Sequence, residues 1–256
     1  MNNISNITAN SGQINIDHAP QGVKWIWFDL DDTLYDFSAS SLVALSHVYH
    51  KYRLDRFFSD VQQWIDVYHR HNTALWKLYN AAQITQQKLR FDRFYLPLQE
   101  GGADDAENRR LNPLLDVDYL DALGATGMVV DGALKAVAHL KSRGFMIGIL
   151  SNGFRGVQHQ KLKSSGLAPF IDKVVLSDDI NINKPDIRIY MYAMQLTGSS
   201  AAESLMIGDN PDTDIAGALN AGWKAILFTR HSADDSISIQ QHPIAVLHNL
   251  TALLNW

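Results

Sequence analysis

Short apolar runs alternate with amphipathic stretches through the second half of the chain. Residues 145–150 (FMIGIL), 173–176 (KVVL), 205–207 (LMI) and 225–228 (AILF) are nearly continuous in apolar character, the pattern of strands buried on both faces. Between and around them, residues 132–143, 155–165, 186–197 and 212–221 have helical spacing, and each stretch is followed by a glycine: Gly144, Gly166, Gly198 and Gly222. A glycine just past a helix is where a left-handed residue is wanted, so these four are read as helix stops. Residues 23–30 (VKWIWFDL) form an earlier apolar run of the same kind. Five strands alternating with helices predict an α/β protein, a three-layer Rossmann-like parallel sheet with helices on both faces.

Between the first strand and the later block lie roughly ninety residues with a different rhythm. Leu42, Leu45, Tyr49 and Tyr52, then Val61, Trp64, Ile65 and Tyr68, then Leu75, Trp76 and Tyr79 recur at steps of three and four. This predicts an all-helical insertion over residues 37–125 whose aromatic stripe is bundle core. Asn112-Pro113 reads as an N-cap with proline at the first helical position, Gly124 as the matching stop, and residues 99–107 (QEGGADDAE) as a surface loop. The expected organisation is a polar, poorly ordered extension over residues 1–21, an α/β core from residues 22–36 and 126–256, and the helical insertion between them. No internal repeat or low-complexity tract is present.

At 256 residues the chain has room for one large domain or a main domain carrying a smaller one. Its 22 Lys and Arg against 27 Asp and Glu give a net charge of -5 without any basic cluster, so nucleic acid is not an expected partner. The absence of cysteine removes disulfide frameworks, thiolate nucleophiles and cysteine-ligated metal sites. No apolar run has the length of a membrane span, and the first residues carry neither the basic nor the apolar part of a secretory signal. The expectation is a cytoplasmic protein, monomer or homodimer, in which the sequons at Asn3 and Asn6 are accidental.

Candidate chemistry gathers where strands end, the edge at which open parallel sheets bind ligands. Asp29 and Asp31, with Asp32 beside them, close the first strand; two acids in one cleft repel unless a cation intervenes or one holds a proton. Ser151-Asn152-Gly153 ends the next strand, and a hydroxyl with approachable N–H groups before a helix is a minimal anion cradle. Lys184-Pro185 opens the helix after the third strand, and residues 208–214 (GDNPDTD) end the fourth. An oxygen-only acidic cluster suits Mg2+ together with a substrate phosphate. The paired histidines, His47 with His50 and His69 with His71, have no carboxylate at ligand spacing and read as surface or capping residues. No P-loop and no Gly-x-Gly-x-x-Gly occurs.

Aspartates after the first strand, a serine after the second, a lysine before the next helix and Gly-Asp-x-x-x-x-Asp after the fourth resemble the motif order of the haloacid dehalogenase-like hydrolase superfamily. The helical insertion is similar to its type 1 cap. The run 75–79 (LWKLY), the Asn152-Gly153-Phe154 turn and the segment from Gly208-Asp209 to Asp214-Ile215 resemble the pyrimidine nucleoside 5′-monophosphatase branch, from whose usual start near the first strand the N-terminal extension departs. The resemblance implies a phosphomonoester hydrolase with Asp29 as nucleophile, forming an aspartyl-phosphate, and Asp31 as acid and then base. It implies Mg2+ on Asp29, the Asp31 carbonyl and Asp209; Ser151, Asn152, Gly153 and Lys184 on the phosphoryl oxygens; and Asp214 steadying Lys184. Asp32 and Asp212 are expected at helix starts. Tyr35 and Phe37 on the flap, with Trp76, Tyr79 and Arg93 from the cap, are where a nucleobase is expected. The substrate class is a small phosphate ester such as a nucleoside 5′-monophosphate. A phosphosugar phosphatase or mutase, a haloacid dehalogenase and a non-catalytic binding protein remain alternatives.

Overall fold

The computed structural model of the chain describes residues 16–230 and 236–256. Its strands are β1 (Trp25–Phe28), β2 (Met146–Ser151), β3 (Lys173–Leu176), β4 (Ser204–Gly208), β5 (Lys224–Phe228), β6 (Ser236–Ile239) and β7 (His242–Leu247). They form one sheet in the order β3-β2-β1-β4-β5-β7-β6. Every neighbouring pair is parallel except β6 with β7. Side chains alternate across the sheet with period two. Ile26, Phe28, Ile147, Ile149, Leu205 and Ile207 enter one core layer, while Trp27, Leu150 and Met206 enter the other. Both faces are apolar, which is why these strands read as continuous runs rather than as alternation. Trp27 pairs with Gly148, where a Cβ would stand 2.2 Å from the indole ring, so the glycine makes room for the tryptophan.

The chain between β1 and β2 forms α1 (Phe37–Lys51), α2 (Val61–Asn80), α3 (Gln86–Glu100), α4 (Asp105–Ala125) and α5 (Ala133–Ser142); α6 (Arg155–Ser164), α7 (Ser177–Ile180), α8 (Ile187–Thr197) and α9 (Ala216–Asn220) follow later strands. α5 covers one face of the sheet, and α8 and α9 the other. The helices α1 to α4 enclose a separate core that includes Leu45, Trp64, Tyr68, Phe94 and Tyr119, which Phe154 enters from just ahead of α6. The four helix-stop glycines all have positive φ, from 66° to 90°.

Several expectations are corrected. Seven strands replace five: β6 and β7 were missed because their turn is Gln240-Gln241, both at positive φ, where the sequence rule looks for Gly, Asn or Asp. Asn112-Pro113 does not start a helix, since α4 begins at Asp105 with Asp104 accepting the Glu107 N–H at 2.8 Å. Asn112 is buried and donates to the Phe91 carbonyl, tying α4 to α3 across the proline. Gly124 is within the last turn of α4; the glycine at positive φ is Gly127. The loop expected over residues 99–107 shrinks to a short turn between α3 and α4. Residues 211–215 form a π-helical turn, so the last predicted helix is split. Residues 1–15, sequons included, lie outside the described residues, whereas Ile16 packs on the core and its carbonyl accepts the Trp256 indole N–H at 2.7 Å. Among the described residues no helix is long and apolar enough to cross a membrane.

Candidate active site

β1 lies between β2 and β4, where the strand order reverses, and such a switch point opens a crevice at the carboxyl edge. Asp29 extends the β1 ladder by one bond, its N–H donating to the Ile207 carbonyl at 3.0 Å, so its side chain stands at the crevice floor. Lys184, 2% exposed, reaches it from the loop after α7. The ammonium donates to Asp29 Oδ1 at 2.5 Å, Asp214 Oδ1 at 2.6 Å and the Leu150 carbonyl at 2.7 Å, which uses all three of its N–H bonds. Asp214 comes this close because Gly208 has no side chain: a Cβ there would stand 2.3 Å from Asp214 Oδ2. That oxygen accepts the Asn210 N–H at 3.0 Å, so Asp214 has both oxygens committed to protein donors.

Asp29, Asp209 and Asp214 each offer an oxygen, all within 4.8 Å of one another. Burial, abetted by the charges of Asp214 and Asp31 and opposed by Lys184, pushes the Asp29 carboxyl up to about 7. Burial and the charges of Asp29 and Asp214 push Asp209 up to about 8. Burial works against the Lys184 ammonium, but Asp214 and Asp29 outweigh it and hold its pKa above the ordinary lysine value. Two acids crowded to this degree could hold a cation between them. The donors are all oxygen, as a hard divalent ion requires, and with Asp214 already engaged, Asp29 and Asp209 are the carboxylates that fit it.

Ser151 ends β2, and its Oγ accepts from Gly153 N at 3.2 Å and Gln158 Nε2 at 2.7 Å. With two donors pointing at the oxygen, its own O–H is left to donate to an acceptor in the crevice. Asn152 clamps the lysine loop: its Oδ1 accepts the Lys184 N–H at 2.7 Å, and its Nδ2 donates to the Lys184 carbonyl and to Asn80 Oδ1 of α2, each at 3.0 Å. Gly153 lies against Gln158, whose Nε2 would be 2.1 Å from a Cβ there. Asp31 Oδ1 accepts from Lys161 at 2.5 Å and Oδ2 from Gln158 at 3.0 Å. Asp32 accepts the Ser38 N–H at 2.9 Å near the start of α1, which Asp36 caps, while Asp212 leaves the capping of its turn to Asn210.

A pocket of about 760 Å3 joins these groups to the cap, with Asp29, Asp31, Ser151, Lys184 and Asp209 among the residues of its floor. Phe37 and Trp76 line the opposite wall, and the Trp76 ring stacks on Phe154 at 5.5 Å. Of the expected substrate residues, Phe37 and Trp76 line this pocket, and Tyr35, Tyr79 and Arg93 do not. Tyr35 is fully buried, its hydroxyl 2.5 Å from both the Leu123 carbonyl and Thr126 Oγ1, and presents no surface to a ligand. Tyr79 packs edge-on against Trp76, with its hydroxyl toward Ser177 and Asn183, and serves the seam between cap and core. Arg93, 2% exposed, pairs with Asp116 under the rings of Phe94, Tyr119 and Phe154. It borders an adjoining chamber of about 30 Å3, which shares Asp31, Phe37 and Trp76 with the main pocket and also touches Gln158 and Lys161. Sequence reasoning missed Gln158, Lys161, Asn72, Lys77 and Asn80; the three-residue spacing of Gln158 and Lys161, just after the Ser-Asn-Gly turn, was the one available signal.

A mostly parallel sheet with a buried lysine bridging two aspartates at its switch point, roofed by an inserted helical bundle, defines an α/β protein with an acidic crevice at the carboxyl edge of its strands. The chain belongs to the haloacid dehalogenase-like hydrolase family, whose model matches residues 23–222. It is 31% identical over 218 residues to the pyrimidine 5′-nucleotidase PynA of Streptococcus pneumoniae, covering 85% of this chain and 88% of that one. It is 28% identical over 233 residues to the pyrimidine 5′-nucleotidase YjjG of Escherichia coli, covering 90% and 97%. Among solved structures, the magnesium-bound HAD-hydrolase YfnB of Bacillus subtilis superposes with a TM-score of 0.79 at 25% identity, covering 91% of this chain and 99% of that one.

Proposed function

We propose that this enzyme hydrolyses phosphomonoesters, with nucleoside 5′-monophosphates, pyrimidine ones first, as its substrates. The observation that carries the reading is the Asp29–Lys184–Asp214 bridge beside Asp209 at the sheet switch point. Asp29 attacks phosphorus, and as the P–O bond to the leaving group breaks, Asp31 delivers a proton to that oxygen. Water then attacks the aspartyl-phosphate, gives its proton to Asp31, and the bond from phosphorus to the Asp29 oxygen breaks. The Ser151 O–H donates to a phosphoryl oxygen, and the Lys184 donor that faces Asp29 in the resting site turns to another as the carboxylate is esterified. Asp29, Asp209 and the Asp31 carbonyl would hold Mg2+, which supplies the positive charge that lets an anionic nucleophile meet an anionic phosphate.

The nucleotide part of the reading is supported by the names of the two relatives and by the Trp76 ring, which is backed by Phe154 and shares the pocket with Asn72 and Asn80. The test is phosphate release with and without Mg2+ from p-nitrophenyl phosphate, CMP, UMP, dTMP, AMP, GMP and glucose 6-phosphate. Expected are Mg2+ dependence, loss of turnover in Asp29→Asn and the highest kcat/KM on the pyrimidine nucleotides. Undiminished turnover in Asp29→Asn would overturn the hydrolytic mechanism, and similar kcat/KM values across the panel would overturn the nucleotide preference.

A further inference from the structure

Asp31 is held by one face of one helix. Lys161 and Gln158 stand three residues apart on α6, which places them side by side, and both are buried, at 3% and 0% exposure. The Lys161 ammonium meets Asp31 Oδ1 at 2.5 Å and sits 5.4 and 5.2 Å from the ring centres of Tyr35 and Phe37. Gln158 uses its two N–H bonds separately, one on Asp31 Oδ2 at 3.0 Å and one on Ser151 Oγ at 2.7 Å. Its carbonyl oxygen Oε1 is buried without a hydrogen-bond partner, and both residues line the chamber that meets the main pocket at Asp31 and Phe37. Burying a long cation and an amide here orders two flexible side chains and leaves an acceptor unsatisfied, which stability alone does not favour. The arrangement immobilises both Asp31 oxygens while leaving each a further lone pair.

We propose that Lys161 and Gln158 are positioning residues that aim the Asp31 carboxyl at the leaving-group oxygen and hold it in register with Ser151. The inference rests on the acid role of Asp31 in the proposed function. A misplaced acid matters in proportion to how much the departing oxygen needs a proton. A nitrophenolate leaves nearly unaided, whereas the ribose alkoxide of a nucleotide does not, and kcat/KM reports the steps through that departure.

The experiment measures kcat/KM for CMP and for p-nitrophenyl phosphate in Lys161→Met, Lys161→Arg, Gln158→Met and Asp31→Asn, and in Lys161→Met combined with Asp31→Asn. Lys161→Met and Gln158→Met are expected to lose about 10- to 100-fold on CMP, the scale of a small misplacement of a catalytic group. On p-nitrophenyl phosphate the loss is expected to stay within about 3-fold, because little proton transfer is at stake there. Lys161→Arg should recover part of the CMP rate, and Lys161→Met should add no further loss to Asp31→Asn. Equal losses on the two substrates, or an undiminished Lys161 effect in the Asp31→Asn background, would overturn the positioning role and leave ordinary structural damage. Should Lys161→Met fail to fold, as shown by its melting curve, Gln158→Met and Lys161→Arg read out the same two ratios. If Asp31→Asn itself shows no leaving-group-dependent loss, the acid role fails; if it does while the α6 variants do not, the positioning inference alone fails.

Discussion

The site contains two buried lysines, and they are satisfied in opposite ways. Lys184 places its ammonium on two carboxylates and a carbonyl, in a region where Asp214 is also buried. Lys161 has one carboxylate, Asp31, and rests over two aromatic rings; the Asp31 side chain remains 28% exposed. The first arrangement is a closed charge balance in which no member can leave without stranding another. The second is open on one side, as the proton exchange proposed for Asp31 requires. A single crevice thus has a rigid, charge-balanced half around Lys184 and an open half around Asp31.

The most severe way to break the rigid half is Asp29→Asn, for which turnover should fall on the order of 10^5-fold or more, as when a covalent nucleophile is removed; rapid-quench measurement checks it. Lys184→Met should follow, lowering stability by about 3–5 kcal/mol in urea unfolding because Asp29 and Asp214 are left as an uncompensated buried pair. Lys161→Met should lower it by only about 1–3 kcal/mol, since water can reach Asp31. Equal destabilisation by the two lysine substitutions would erase the contrast.

Cation binding sharpens the same contrast through pH. Asp29 and Asp209 have folded-state pKa values raised to about 7 and about 8, so the folded protein holds protons that the unfolded chain releases near pH 4. For such groups the associated stability is fully present below the unfolded value and is lost as pH rises toward 7 and 8, by up to about 1.4 kcal/mol per pH unit for the buried Asp29 and by less for the more exposed Asp209, which water screens. Mg2+ should relieve that loss, adding about 2.7 kcal/mol at a hundredfold excess over its Kd and raising the Tm more at pH 8.5 than at pH 6. A Tm shift of equal size at the two pH values would contradict the assignment of these carboxylates to the cation. The smallest effect is expected on the cap: Trp76→Ala should raise KM for CMP by about tenfold with kcat nearly unchanged, in line with about 1–3 kcal/mol for stacking a base on an aromatic ring.

Much of the fold was legible along the chain because strands buried on both faces must be apolar throughout and helix ends must be stopped. Ile26, Trp27 and Phe28 announce β1 without any knowledge of what they touch, and Gly144, Gly166, Gly198 and Gly222 mark turns whose backbone angle they alone adopt easily. The β6–β7 hairpin escaped because Gln240-Gln241 makes its turn without the usual residues, and Pro113 misled because packing of α4 on α3, helped by Asn112, outweighs one missing hydrogen bond.

By itself the sequence determined the α/β alternation, the helical insertion and the strand-end positions of Asp29, Ser151 and Asp209, all of which follow from local periodicity. Only the tertiary structure decided that Tyr35 is buried away from the main pocket, that Arg93 pairs with Asp116, and that Lys161 meets an aspartate 130 residues earlier in the chain. The physical reason is that periodicity records which face of an element is buried, whereas the partner met on that face depends on how helices and sheet stack, and that leaves no mark on neighbouring residues.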